Sequence, residues 1–134
     1  MKPLMTTRTL MTLSAAFMAI LGLGVTFLPQ ELLVFAGGRP EGALVPLVQM
    51  PGAMFLGFAI LNWTARGNLI GGIYSRPVAL ANFFNFAVGA AGLLKALPAQ
   101  NFAAEITVLA VLYSVFGVCF GIVLFTHPAK ADRV

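Results

Sequence analysis

The stretch ITVLAVLYSVFGVCFGIVLFT, residues 106–126, contains no charged side chain. An α-helix of this length crosses the hydrocarbon core of a bilayer, which is about 30 Å thick. A helix of a soluble bundle would carry a polar face, and this stretch has none. Because backbone groups in lipid must be hydrogen-bonded within their own segment, the stretch predicts a transmembrane helix.

Three more apolar stretches precede it. Together they predict an all-α fold, a four-helix antiparallel transmembrane bundle in a single domain. Hydrophobic residues make up 60% of the chain and charged residues 9%, against about 45–50% and 25% in an average soluble domain. The first stretch, residues 10–28, is longer than the ~7–15 apolar residues of a secretory signal, so we expect it to be retained as a transmembrane helix. The predicted spans are residues 10–28, 43–65, 77–97 and 103–126.

The basic residues predict the orientation, because cytoplasmic loops of membrane proteins are enriched in lysine and arginine. With the N-terminus inside, six of the eight basic residues fall on the cytoplasmic side and only Arg39 and Lys95 outside. Both termini are therefore predicted to be cytoplasmic. The same scatter argues against nucleic acid as a partner, although the net charge is +4. The six cytoplasmic positions are Lys2, Arg8, Arg66, Arg76, Lys130 and Arg133.

The connections also carry predictions. The segment PQELLVFAGG, residues 29–38, is predicted to form a short helix at the outer membrane interface that ends at Gly37 and Gly38. Trp63 and Tyr74 flank the middle connection, as aromatic residues do at the headgroup level. Pro77 suits the first turn of a helix. Pro46 and Pro51 suggest a kink or a break in the second span.

Small residues predict where the helices meet, because helices in lipid associate through close backbone approach. The pair Gly117 and Gly121 has GxxxG spacing, for which packing within the chain is the favoured interpretation. The bulky residues Phe83, Phe84, Phe86, Phe116, Phe120 and Phe125 lie mostly off the small-residue stripes, so several are expected to face lipid or a partner chain. The glycines expected at helix contacts are Gly22, Gly57, Gly89, Gly92, Gly117 and Gly121.

A polar pocket is predicted near the cytoplasmic face, because the alternating helices bring several polar residues to similar depth. Its functional interpretation is a site for an anionic or amide-rich molecule, such as a lipid headgroup or a quinone head. The favoured interpretation is structural: the asparagines bond between helices and the arginines follow the charge bias. The candidate ligand-binding residues are Asn62, Arg66, Arg76, Asn82 and Asn85.

Groups for catalysis are scarce. A metal site needs several His, Cys, Asp or Glu ligands, and the chain has one histidine and one cysteine, Cys119, which also excludes an internal disulfide. His127 and the single aspartate, Asp132, both lie in the C-terminal tail. We therefore predict no catalytic residue, no metal and no cofactor.

The segment FLGFAILNWTARGNLIGGIYSRPVALANFFNF, residues 55–86, resembles an uncharacterised family of small four-span inner-membrane proteins of bacteria. The shared features are an N-W-x-A-R helix end, a glycine-containing loop and an R-P helix start, together with LPQELL after the first span. The resemblance implies the topology and a bacterial inner membrane, but it implies no site. The overall plan is also similar to DoxX-like proteins, some of which act with quinones.

The sequence is compatible with three functions. The leading hypothesis is a non-catalytic accessory or assembly subunit of a larger membrane complex, or a homo-oligomer, whose partners are lipid and other membrane subunits or itself. The second is a lipid- or quinone-binding or transport protein that uses the cytoplasmic polar pocket. The third is a subunit of a quinone-linked redox enzyme.

Overall fold

The computed structural model describes residues 6–67, 75–99 and 103–126. Its elements confirm the all-α class, the four long helices and the short helix after the first of them. The four long helices are each long and apolar enough to cross a membrane, so the chain is a multi-pass integral membrane protein. The elements are α1 (Thr7–Phe27), α2 (Pro29–Phe35), α3 (Leu44–Ala65), α4 (Arg76–Ala96), a 3₁₀ turn (Leu97–Ala99) and α5 (Ala103–Thr126).

Helix α1 begins at Thr7, three residues before the predicted start of the first span. The cause is a cap: the Thr6 hydroxyl accepts a hydrogen bond from the backbone N–H of Thr9, at 3.2 Å. A threonine cap satisfies one of the amide groups that the first turn of a helix leaves without a partner. Hydrophobicity locates the apolar span, and the capping residue fixes where the helix begins.

The end of α2 follows the predicted glycine signal. Gly37 has a φ of +84°, a left-handed conformation that glycine adopts without strain. The Gly38 N–H donates to the Leu33 carbonyl at 2.8 Å, and the Gly37 N–H donates to the Val34 carbonyl at 2.9 Å. This pair of bonds is the Schellman arrangement, which satisfies carbonyl groups at the end of a helix.

Helix α3 runs without a break from Leu44 to Ala65, with Pro51 inside it. The expected break in the second span is therefore absent from this helix. Pro46 lies in the first turn, where a missing N–H costs little. Pro77 lies in the first turn of α4, as predicted.

Two compact units divide the chain. The first unit comprises Met11–Thr64, and the second comprises the residues from Ala65 onward together with those up to Leu10. The segment 68–74, which includes Tyr74, lies outside the described residues, as do Lys2, His127, Lys130, Asp132 and Arg133.

In the first unit α1 and α3 form an antiparallel pair. Ser14 near the start of α1 meets Asn62 near the end of α3. Thr26 at the other end of α1 meets Gln49 in the early part of α3. Between them, Gly22 lies against Leu56. The order of these contacts reverses along the two helices, as it must in an antiparallel pair.

In the second unit α4 and α5 form an antiparallel pair around an aromatic core. The Phe86 ring lies 4.9 Å from Phe116 and 5.8 Å from Phe120 between centroids, and both pairs are stacked. It also meets Tyr113 edge-on at 5.2 Å. Phe83 meets Phe125 edge-on further along the pair.

This core corrects one expectation from the sequence. Phe86 and Phe120 are fully buried rather than facing lipid. Glycines on both helices let the backbones approach, and the rings then fill the remaining space between them. Of the six phenylalanines that were expected to lie mostly off the small-residue stripes, only Phe84 and Phe125 are largely exposed, at 56% and 68%.

Candidate functional site

One cluster of polar side chains lies within the first unit and joins α1 to α3. The Asn62 side-chain amide donates to the Ser14 hydroxyl at 3.0 Å, and that hydroxyl donates to the Met11 carbonyl at 3.0 Å. Both side chains are completely buried. In an apolar surrounding, a hydrogen-bonded relay of this kind fixes the register of two helices. Asn62 therefore has a structural role in this unit.

The other two asparagines of the predicted pocket lie on α4. Asn82 is completely buried, and its side-chain amide donates to the Val78 carbonyl of the same helix at 2.9 Å. The side-chain nitrogen Nδ2 of Asn85 is buried and has no hydrogen-bond partner within the described ranges. A buried amide hydrogen without an acceptor is costly, so the Asn85 amide is able to donate a hydrogen bond to a carbonyl or an anion.

The two arginines differ in exposure. Arg66, just after α3, is half-buried, and Arg76, at the start of α4, is exposed. Both guanidinium groups can donate to phosphate or carboxylate groups. The predicted pocket draws on residues of both units, and it stays a prediction.

Four of the six predicted packing glycines lie at helix contacts. A methyl group at Gly22 would lie 2.8 Å from Leu56 side-chain atoms, and one at Gly89 would lie 2.6 Å from the Tyr113 ring. Gly117 lies against the backbone of Ala87, at 3.5 Å by the same measure, and Gly121 lies against the Phe83 ring at 3.1 Å. The GxxxG pair thus packs inside the second unit.

The other two glycines lie away from the helix contacts of the described residues. A methyl group at Gly57 or Gly92 would meet no atom within 4 Å among the described residues, and both positions are exposed. Small-residue spacing alone placed them at contacts. A helix that is apolar on every side gives no polar face from which to tell the packed side from the lipid side.

Sequence reasoning missed a contact at the other end of the α1–α3 pair. The Gln49 side-chain amide donates to the Thr26 carbonyl at 3.1 Å, which belongs to the last turn of α1, where carbonyl groups lack partners inside the helix. Gly52 lies directly against Thr26. The Thr26 hydroxyl oxygen is buried and has no hydrogen-bond partner in the described part of the chain. The sequence feature that indicates this contact is the polar Gln49, one helical turn before Gly52.

Acidic and sulfur ligands do not gather in the described residues: no group of three or more His, Cys, Asp or Glu side chains lies close enough to hold a metal ion. Cys119 is a half-buried free thiol on α5.

Comparison of the chain with protein-family models, curated proteins and solved structures finds no match.

Proposed function

We propose that this chain is a non-catalytic protein of a bacterial inner membrane, with both termini in the cytoplasm, that works by packing against other membrane chains. It acts either as an accessory or assembly subunit of a larger complex or as a homo-oligomer. The observation that carries this proposal is an exposed face of α5.

That face consists of branched aliphatic residues with one aromatic residue at its end. The residues follow one another at intervals of three and four, and each is more than half exposed. We call this set the outer face of α5: Val108, Val111, Val115, Val118, Ile122 and Phe125.

The outer face can pack against another helix in place of lipid. Valine and isoleucine hold one preferred rotamer in a helix, so they lose little side-chain entropy when a partner packs on them. Alternating intervals of three and four match the seam along which two helices interlock their side chains. In lipid, where burial of apolar surface gives no gain, such van der Waals packing drives association.

The opposite side of α5 is already in use. Tyr113, Gly117 and Phe120 are buried and contact α4. The packed side contacts α4 within the second unit and leaves the outer face exposed. The buried asparagines and Ser14 supply structure to their own units, which supports a packing role over a chemical one.

Association can be tested by blue-native electrophoresis of gently solubilised membranes. The wild-type chain is expected to migrate as part of a larger species. Val115→Trp places a bulky ring in the middle of the outer face and is expected to shift most of the chain to the monomer position.

The matched control is Val88→Trp, at an exposed valine of α4, and it should leave the larger species intact. Expression without other proteins of the source membrane separates the two forms of the proposal, because a homo-oligomer persists there and an accessory subunit becomes monomeric. Wild-type migration solely as a monomer in its own membrane would contradict the proposal.

A further inference from the structure

We draw no further inference here: the strongest candidate, the groove of about 330 Å³ between α1 and α3 in the first unit, is lined almost entirely by apolar side chains, and nothing in the described part of the chain shows what covers it.

Discussion

Gly52→Ala is expected to destabilise the α1–α3 pair by about 1–3 kcal/mol, the usual cost of forcing extra atoms into a packed contact. The added methyl group would lie 2.5 Å from the Thr26 hydroxyl, 2.8 Å from the Thr26 backbone nitrogen and 3.1 Å from the Val25 carbonyl carbon. Two of these atoms belong to the backbone of α1. A side-chain rotation cannot relieve the clash, so the two helices must move apart.

The movement also affects a hydrogen bond. Gln49 lies one turn before Gly52 and donates to the Thr26 carbonyl. If the helices separate at Gly52, the hydrogen bond from the Gln49 amide to the Thr26 carbonyl lengthens. The last turn of α1 then loses this contact with α3. The steric clash and the weakened hydrogen bond both destabilise the α1–α3 pair.

The control for this prediction is Gly57→Ala on the same helix. There an added methyl group meets no described atom within 4 Å, and alanine is favoured over glycine inside a helix by up to about 1 kcal/mol. Reversible unfolding of both variants in mixed micelles measures the difference. Gly52→Ala should unfold more easily than the wild type and Gly57→Ala no more easily, and equal stabilities of the two variants would show that the close approach at Gly52 is wrong.

Phe86→Ala is expected to destabilise the α4–α5 pair by about 2–4 kcal/mol. The Phe86 side chain is 0% exposed and contacts the rings of Tyr113, Phe116 and Phe120. Truncating a buried phenylalanine costs about 3–5 kcal/mol in water-soluble proteins. The cost is lower here because lipid takes the place of water around unfolded side chains, while the lost packing contacts remain.

The neighbouring residue supplies a matched control. Phe84 lies on the same helix with its ring mostly exposed, and it meets Phe83 edge-on. Phe84→Ala is expected to change the stability by no more than about 0.5 kcal/mol, as is usual for surface positions. Thermal unfolding in detergent, followed by circular dichroism, compares the stabilities of the two variants. If Phe84→Ala destabilised the protein as much as Phe86→Ala, the aromatic core would not be what stabilises the α4–α5 pair.

The elements of this fold could be predicted from the sequence because two signals are strong. In lipid, an uncharged stretch such as residues 106–126 forms a helix because its backbone groups must be hydrogen-bonded within the segment. Gly37 and Pro77 mark the end of α2 and the start of α4 through backbone preferences that do not depend on neighbouring helices.

The packed faces could be predicted only in part. Gly117 and Gly121 lie at helix contacts, whereas a methyl group added at Gly57 or Gly92 would meet no described atom within 4 Å. In a soluble helix the polar side identifies the apolar core side, and these helices lack that contrast. The buried position of Phe86 could not be predicted for the same reason, since phenylalanine suits lipid and a protein core equally well.

The candidate site shows the same division. Asn62 and Asn82 were predicted to lie near the cytoplasmic face because the alternating helices bring them to similar depth, and each makes a side-chain hydrogen bond in its own unit. The Ser14 partner of Asn62 depends on how α1 and α3 are rotated against each other, whereas the Val78 carbonyl lies four residues before Asn82 on the same helix.

The central claim is that the long helices cross a bilayer, so that the connections at the two ends of α3 lie on opposite sides. Labelling with a membrane-impermeant maleimide tests it most directly, in a Cys119→Ala background with one new cysteine at a time. Glu41→Cys, before α3, should react in intact cells, and Gly67→Cys, after α3, should react only when the cytoplasmic side is opened. Met54→Cys, an exposed residue in the middle of α3, should react in neither condition. Labelling of Met54→Cys from the aqueous phase, or of Glu41→Cys and Gly67→Cys from the same side, would contradict the account.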